Sequence, residues 1–147
     1  MQTVASERQA LRVANRLRPA LLKLARELRR ESHVLGVTGG QVTLLIQIRK
    51  QHGIGVRDLA VLERMSPASM SGYVDRLEKA GLIVRTPDSQ DRRRHGLSLT
   101  DEGERVLRSV RSRRTAWLAA RLEHLTPAEL RAIDAAVEPL LRLLEDV

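Results

Sequence analysis

Residues 66–100 have the sequence SPASMSGYVDRLEKAGLIVRTPDSQDRRRHGLSLT, and this stretch decides the fold. Ser66 is a favourable N-cap, and Pro67 suits the first helical position because the N–H it lacks would be unpaired there. The pattern predicts a helix that runs to about Ala80 and ends at Gly81. Two short apolar stretches follow, residues 82–84 and 97–99, and they enclose an arginine-rich loop at residues 91–94.

The predicted order is helix, strand, basic tip, strand, which is the layout of a winged helix. Met70, Val74 and Leu77 repeat at helical spacing and are expected to be buried. The opposite face is small at its start and basic toward its end, with Ala68, Ser69, Gly72, Arg76 and Lys79. A helix with such a face can enter the major groove of DNA, while the basic tip enters the neighbouring minor groove.

The rest of the chain predicts helices. The first covers about residues 6–35, with a leucine stripe that includes Leu17 and an expected kink or break at Pro19. The capping box at Thr38 begins a second helix to about residue 51, a short helix covers about 57–63, and residues 54–56 are a candidate strand. Thr100 caps a long helix to about residue 123, and a capping box at Thr126 begins the last helix.

The fold class that we predict is therefore mainly α: a winged helix-turn-helix with a small β-wing at residues 38–100. The N- and C-terminal helices, within residues 1–37 and 101–147, carry apolar stripes that need a cover, and they are expected to form a dimerisation region. An alternative is that these helices fold back as a monomeric bundle. The predicted dimerisation residues are Leu11, Leu17, Leu130, Val137, Leu140, Leu141 and Leu144.

Composition favours a polyanionic partner and gives no sign of catalysis. Lys and Arg total 26 against 18 Asp and Glu, a formal net charge of +8. Cysteine is absent, the histidines lack metal-ligand spacing, and no nucleophile or phosphate-loop motif occurs, so we expect no enzyme, no metal and no cofactor. No apolar run suggests a membrane span or a signal peptide, and we expect a cytoplasmic protein.

The chain resembles the MarR family of winged helix-turn-helix regulators along nearly its whole length. The resemblance is carried by Thr38-x-x-Gln41, by Asp75-Arg76-Leu77-Glu78 before Ala80-Gly81-Leu82, by Asp91-x-Arg93 and by Leu99-Thr100-x-x-Gly103. It implies an obligate homodimer that binds a palindromic operator on double-stranded DNA and usually represses transcription. In many members a small phenolic or otherwise aromatic effector lodges between the dimerisation and DNA-binding parts and releases the DNA.

The resemblance also implies roles for individual residues. Asp91 would hold the wing tip in shape by pairing with an arginine, and Arg85 would lie at the base of the wing near the DNA backbone. Gly72 departs from the arginine of many members, which leaves Tyr73, the serines or DNA shape to supply specificity. The DNA-binding candidates are Ser66, Ser69, Ser71, Gly72, Tyr73, Arg76, Arg85, Arg92, Arg93 and Arg94.

Several residues also have purely structural explanations that involve neither DNA nor a ligand. Ser66 caps the helix whether or not it touches DNA, Asp75 can simply pair with a neighbouring arginine, and the arginines at 111–114 can form a solvated face. His33 and Trp117 are candidate residues of a ligand pocket, although Trp117 also suits core or dimer packing.

Three functional hypotheses remain open from the sequence. The first is a dimeric, sequence-specific regulator, a ligand-responsive repressor. The second is a non-specific architectural DNA-binding protein. The third is a ligand-binding or interaction dimer that has lost DNA readout.

Overall fold

The computed structural model describes residues 2–88, 90–91 and 93–145, which are mainly helical. The helices are α1 (Gln2–Arg30), α2 (Gly39–Lys50), α3 (Val56–Leu62), α4 (Pro67–Lys79), α5 (Asp101–Leu122) and α6 (Pro127–Arg142), with a 3-10 turn at His33–Leu35. Two antiparallel strands, β1 (Ile83–Pro87) and β2 (His95–Leu99), form the wing. The predicted fold class, a mainly α winged helix with a small β-wing, is confirmed.

Local capping fixes where the helices begin. Thr38 accepts a hydrogen bond from the backbone N–H of Gln41 at 3.1 Å, and the Gln41 side chain accepts one from the Thr38 N–H at 2.9 Å. The same reciprocal pair occurs between Thr126 and Glu129 at the start of α6. Both capping boxes therefore lie where the sequence predicts them, since each needs only residues three positions apart.

The first helix is continuous through Pro19, so the expectation of a break there is wrong, while a kink stays a prediction. The proline removes one hydrogen bond from the carbonyl of Asn15. That residue is exposed, so water can satisfy the carbonyl. The helix ends at Arg30 instead of near Leu35, because the buried Ser32 donates its hydroxyl to the Arg29 carbonyl at 2.6 Å and a 3-10 turn follows.

The wing hairpin is longer than the predicted apolar stretches. Its register pairs Ile83 with Leu99 and Pro87 with His95, so polar residues extend both strands toward the tip. The strand expected at residues 54–56 is reduced to a single bridge between Ile54 and Leu97. The length of a strand depends on hydrogen bonds to another segment of the chain, so an apolar run alone underestimates that length.

The core lies among α2, α3, α4, the hairpin and the first half of α5. Met70, Val74 and Leu77 are fully buried, as predicted. The Leu99-Thr100-x-x-Gly103 motif joins the hairpin to α5: Thr100 accepts a hydrogen bond from the Gly103 N–H at 3.0 Å. A Cβ atom on Gly103 would lie 2.1 Å from the Leu82 carbonyl oxygen, so only glycine fits there.

Contacts divide the chain into two compact units, one of residues up to Arg114 and one from Thr115 onward. The first unit holds α1 to α4, the wing and the start of α5. The second holds the end of α5 and α6, and no described residue of α6 is buried. The final helix ends at Arg142, so Leu144, which we expected on this helix, lies beyond it.

Candidate nucleic-acid interface

The exposed face of α4 brings together four of the predicted DNA-binding residues. Ser69, Gly72 and Arg76 follow one another at helical spacing on the side away from the buried Met70, Val74 and Leu77, and Tyr73 lies at the edge of that face. The Arg76 guanidinium lies over the Tyr73 ring, 4.9 Å from its centroid. This stacking holds a cation and an aromatic ring side by side on a surface that is free of apolar core residues.

The serines of α4 have different roles. Ser66 caps the helix: its oxygen accepts a hydrogen bond from the Ser69 N–H at 3.1 Å and its hydroxyl donates to Ser69 Oγ at 2.9 Å. Ser71 falls on another flank of α4, the one that carries Asp75 and Glu78. Of the three serines, Ser69 therefore lies on the same face as Arg76.

The wing tip is shaped by backbone hydrogen bonds. The Asp91 carboxylate accepts a hydrogen bond from the Arg93 N–H at 3.0 Å, and the Arg94 N–H donates to the Asp91 carbonyl at 3.0 Å. Asp91 therefore shapes the turn through these hydrogen bonds, and pairing of its carboxylate with an arginine side chain stays a prediction. Arg93 and Arg94 are exposed, while Arg92 lies outside the described residues.

Arg85 is engaged within the protein. Its Nη2 forms a hydrogen bond and ion pair with Asp75 Oδ1, and its Nε lies 3.5 Å from Glu78 Oε2. Asp75 thus pairs with an arginine, as the sequence suggested, and the partner is ten residues away, on β1. A contact between Arg85 and the DNA backbone stays a prediction.

A basic cavity of about 640 Å³ lies between the end of α1 and the start of α2. The lining contains three arginines and one of the predicted pocket residues, His33. The residues that line the cavity are Leu22, Arg26, Arg29, Arg30, His33, Gly39, Gly40 and Thr43. The other predicted pocket residue, Trp117, is not part of this lining. Its ring stacks against the Arg121 guanidinium, which lies 3.6 Å from the ring centroid. Apart from His33, no local sequence pattern indicates this cavity, because it forms where two separate helices meet.

Two arginines of α5 hold the C-terminal end of α1. Arg113 donates from Nε to the Glu31 carbonyl and from Nη2 to its carboxylate, both at 3.2 Å, and Arg114 Nε donates to the Leu28 carbonyl at 3.0 Å. Burial and the nearby Arg29 cation lower the pKa of Arg114. The expectation that the arginines at 111–114 form a purely solvated face is wrong for these two, because the terminal carbonyls of a helix attract cations.

Comparison with known proteins agrees with this architecture. A family model described as the MarR family matches residues 37–95. The HTH-type transcriptional repressor MdtR of Bacillus subtilis is 37% identical over 95 residues, which cover 65% of this chain and 61% of that protein.

Two solved structures share the fold along most of the chain. A putative transcriptional regulator from Pseudomonas aeruginosa has a TM-score of 0.80 and 33% identity, with 93% of this chain and 96% of that chain covered. A variant of the S. aureus protein MepR, bound to an oligodeoxyribonucleotide, has a TM-score of 0.69 and 22% identity, with 90% and 97% covered. At that identity the second comparison shows the fold alone.

The fold, the exposed helix face and the basic wing define a winged helix DNA-binding transcriptional regulator. Specifically, the chain belongs to the MarR family. The relatives are named as regulators and not as enzymes. Within the described residues, no helix is long and apolar enough to cross a membrane, and no group of three or more acidic or histidine side chains could hold a metal ion.

Proposed function

We propose that the protein is a homodimeric, sequence-specific repressor that binds a palindromic operator and releases it when an anionic effector binds. DNA binding is supported by the presence, on one molecule, of the exposed Ser69–Arg76 face of α4 and a basic wing with exposed arginines. One surface suits the major groove and the other the adjacent minor groove.

Exposed apolar side chains on the terminal helices support the dimer. On α1, Leu11 is 64% exposed, while on α6 Val137 is 46% and Leu141 is 50% exposed. Leu17 and Leu140 are partly exposed, and Leu130 and Leu144 are exposed as well. Apolar stripes of this extent on both terminal helices are best covered by the same helices of a second copy. A two-fold dimer would present two copies of α4 to half-sites related by the same symmetry, which is why we propose a palindromic operator.

The basic cavity supports regulation by an anion. Arg26, Arg29 and Arg30 line it, and the only carboxylate paired with any of them in the described residues is Glu27, which lies 3.1 Å from Arg30. The unbalanced positive charge favours an anionic ligand, such as a small aromatic carboxylate or phenolate. Because α1 also carries the proposed dimer surface, a ligand wedged against α2 would change the spacing of the two DNA-binding units and so release the operator.

Operator recognition, on which repression depends, is tested by DNA binding. The wild-type protein should bind a duplex selected from a random pool at least about a thousandfold more tightly than unselected duplex at the same salt concentration. Equal affinity for both, with only a salt-dependent component, would point to the non-specific architectural alternative. Loss of all duplex binding by a folded dimer would point to a protein without DNA readout.

The effector proposal has its own test. Benzoate should release the selected duplex from the wild-type protein, while the uncharged benzamide should not. Arg29→Gln should abolish release and leave duplex binding in the absence of benzoate unchanged. Release by both compounds alike would contradict an anionic site.

A further inference from the structure

We propose that Arg85 is a positioning residue that fixes the wing against α4, and not a contact to the DNA backbone. The inference rests on the proposed DNA-binding function and concerns how its two reading surfaces are held together. It starts from one side chain that reaches from β1 to two carboxylates on the helix.

The geometry favours an internal role. Arg85 shares a face of β1 with the fully buried Ile83, and its partner across the hairpin is Leu97, which is also fully buried. Its side chain is 29% exposed, and its Nε atom is buried without a hydrogen-bond partner. The guanidinium thus emerges from the core side of the wing and is directed toward Asp75 and Glu78 on α4.

The local charge also disfavours a phosphate. Two carboxylates face one guanidinium, so the group carries an excess of one negative charge and would repel an approaching DNA backbone. By contrast, no acidic side chain in the described part of the chain lies within ion-pair distance of Arg76, Arg93 or Arg94. Those three arginines are therefore the cations available to contact DNA, whereas the charge of Arg85 is neutralised by Asp75 and Glu78 on α4.

The Asp75→Asn substitution distinguishes a positioning role from a purely electrostatic effect, because the two predict opposite changes in affinity for the selected duplex. Removing this carboxylate raises the formal net charge of +8 by one, which by electrostatics alone should tighten binding to every duplex. If Asp75 and Arg85 position the wing, binding to the selected duplex should instead fall by about fivefold or more, while binding to random duplex stays equal or rises.

Arg85→Gln gives a second, independent readout. Loss of a phosphate contact should lower the slope of log affinity against log salt concentration by about 0.9, whereas loss of a positioning residue should leave that slope unchanged. The double variant, Asp75→Asn with Arg85→Gln, should bind the selected duplex no more weakly than either single variant, because both remove the same link.

Each result has a defined consequence. Failure of the wild-type protein to select any duplex would refute the proposed function itself. If the wild type selects a duplex and Asp75→Asn binds it equally or more tightly, or Arg85→Gln lowers the salt slope by about one charge, the positioning role is overturned. Thermal melts confirm that each variant is folded. The charge-matched control is Glu102→Gln, which removes an acidic side chain on α5 that forms an ion pair with Arg105, three residues away on the same helix.

Discussion

Replacing Gly72 by alanine should stabilise the protein and weaken its binding to DNA. Gly72 lies in the interior of α4, and a Cβ atom built there meets no heavy atom within 4 Å. The folded chain therefore has no steric need for glycine at this position, and alanine should gain the difference in helix propensity, about 1 kcal/mol. For a chain of this size that gain raises the melting temperature by roughly 2–4 °C.

The effect on DNA has the opposite sign. Gly72 lies between Ser69 and Arg76 on the proposed groove-facing surface, so an added methyl group would be pressed against the base edges and lower affinity for the selected duplex by about fivefold or more. Calorimetry and fluorescence anisotropy on the same preparation measure both quantities, and a fall in affinity alongside a rise in melting temperature cannot come from misfolding.

Gly103→Ala is the matched control for Gly72→Ala. Its Cβ would lie 2.1 Å from the Leu82 carbonyl oxygen, so it should destabilise the fold by about 1–3 kcal/mol or more. Unchanged operator affinity in a stabilised Gly72→Ala variant would refute the placement of this face in the groove. A lowered melting temperature would show that a Cβ atom at position 72 does not point into open space.

Three other substitutions test separate parts of the proposal. Arg93→Ala should weaken operator binding by about 1 kcal/mol or more and lower the salt slope by about 0.9; an unchanged slope would place the wing tip away from DNA. Leu141→Asp should convert the dimer into a folded monomer in sedimentation analysis, whereas Val61→Asp, at another exposed apolar position, should stay dimeric; a dimeric Leu141→Asp would exclude this surface from the interface. Ser66→Ala should cost about 1 kcal/mol of stability through the lost cap, and Ser66→Asp should restore it; no recovery in Ser66→Asp would contradict capping as the cause.

Features of the fold that depend on neighbouring residues were predictable from the sequence. The caps at Thr38, Ser66 and Thr126, and the burial of Met70 and Leu77, follow from spacings of three to four residues. The wing was predicted from two apolar stretches around a basic loop, but its length was not, because polar residues such as Thr86 pair in register with the opposite strand.

Features that depend on distant residues were not predictable. The sequence suggested an arginine partner for Asp75 but gave no means of choosing Arg85 from among its arginines. Nor did it indicate that Arg113 reaches the Glu31 carbonyl, 82 residues away in sequence. The basic cavity has the same origin, since Arg29 and Gly39 lie on different helices. In each case the contact is made by packing between elements, for which the pattern within one helix carries no information.

The positions of the tyrosine and the tryptophan make the protein its own fluorescent probe. The chain has one tyrosine, one tryptophan and no phenylalanine. Tyr73 is on the exposed face of α4, and Trp117 is in the C-terminal unit, against the Arg121 guanidinium. Tyrosine emission therefore reports on α4 and tryptophan emission on the C-terminal unit, so events in the two can be followed separately without an attached dye.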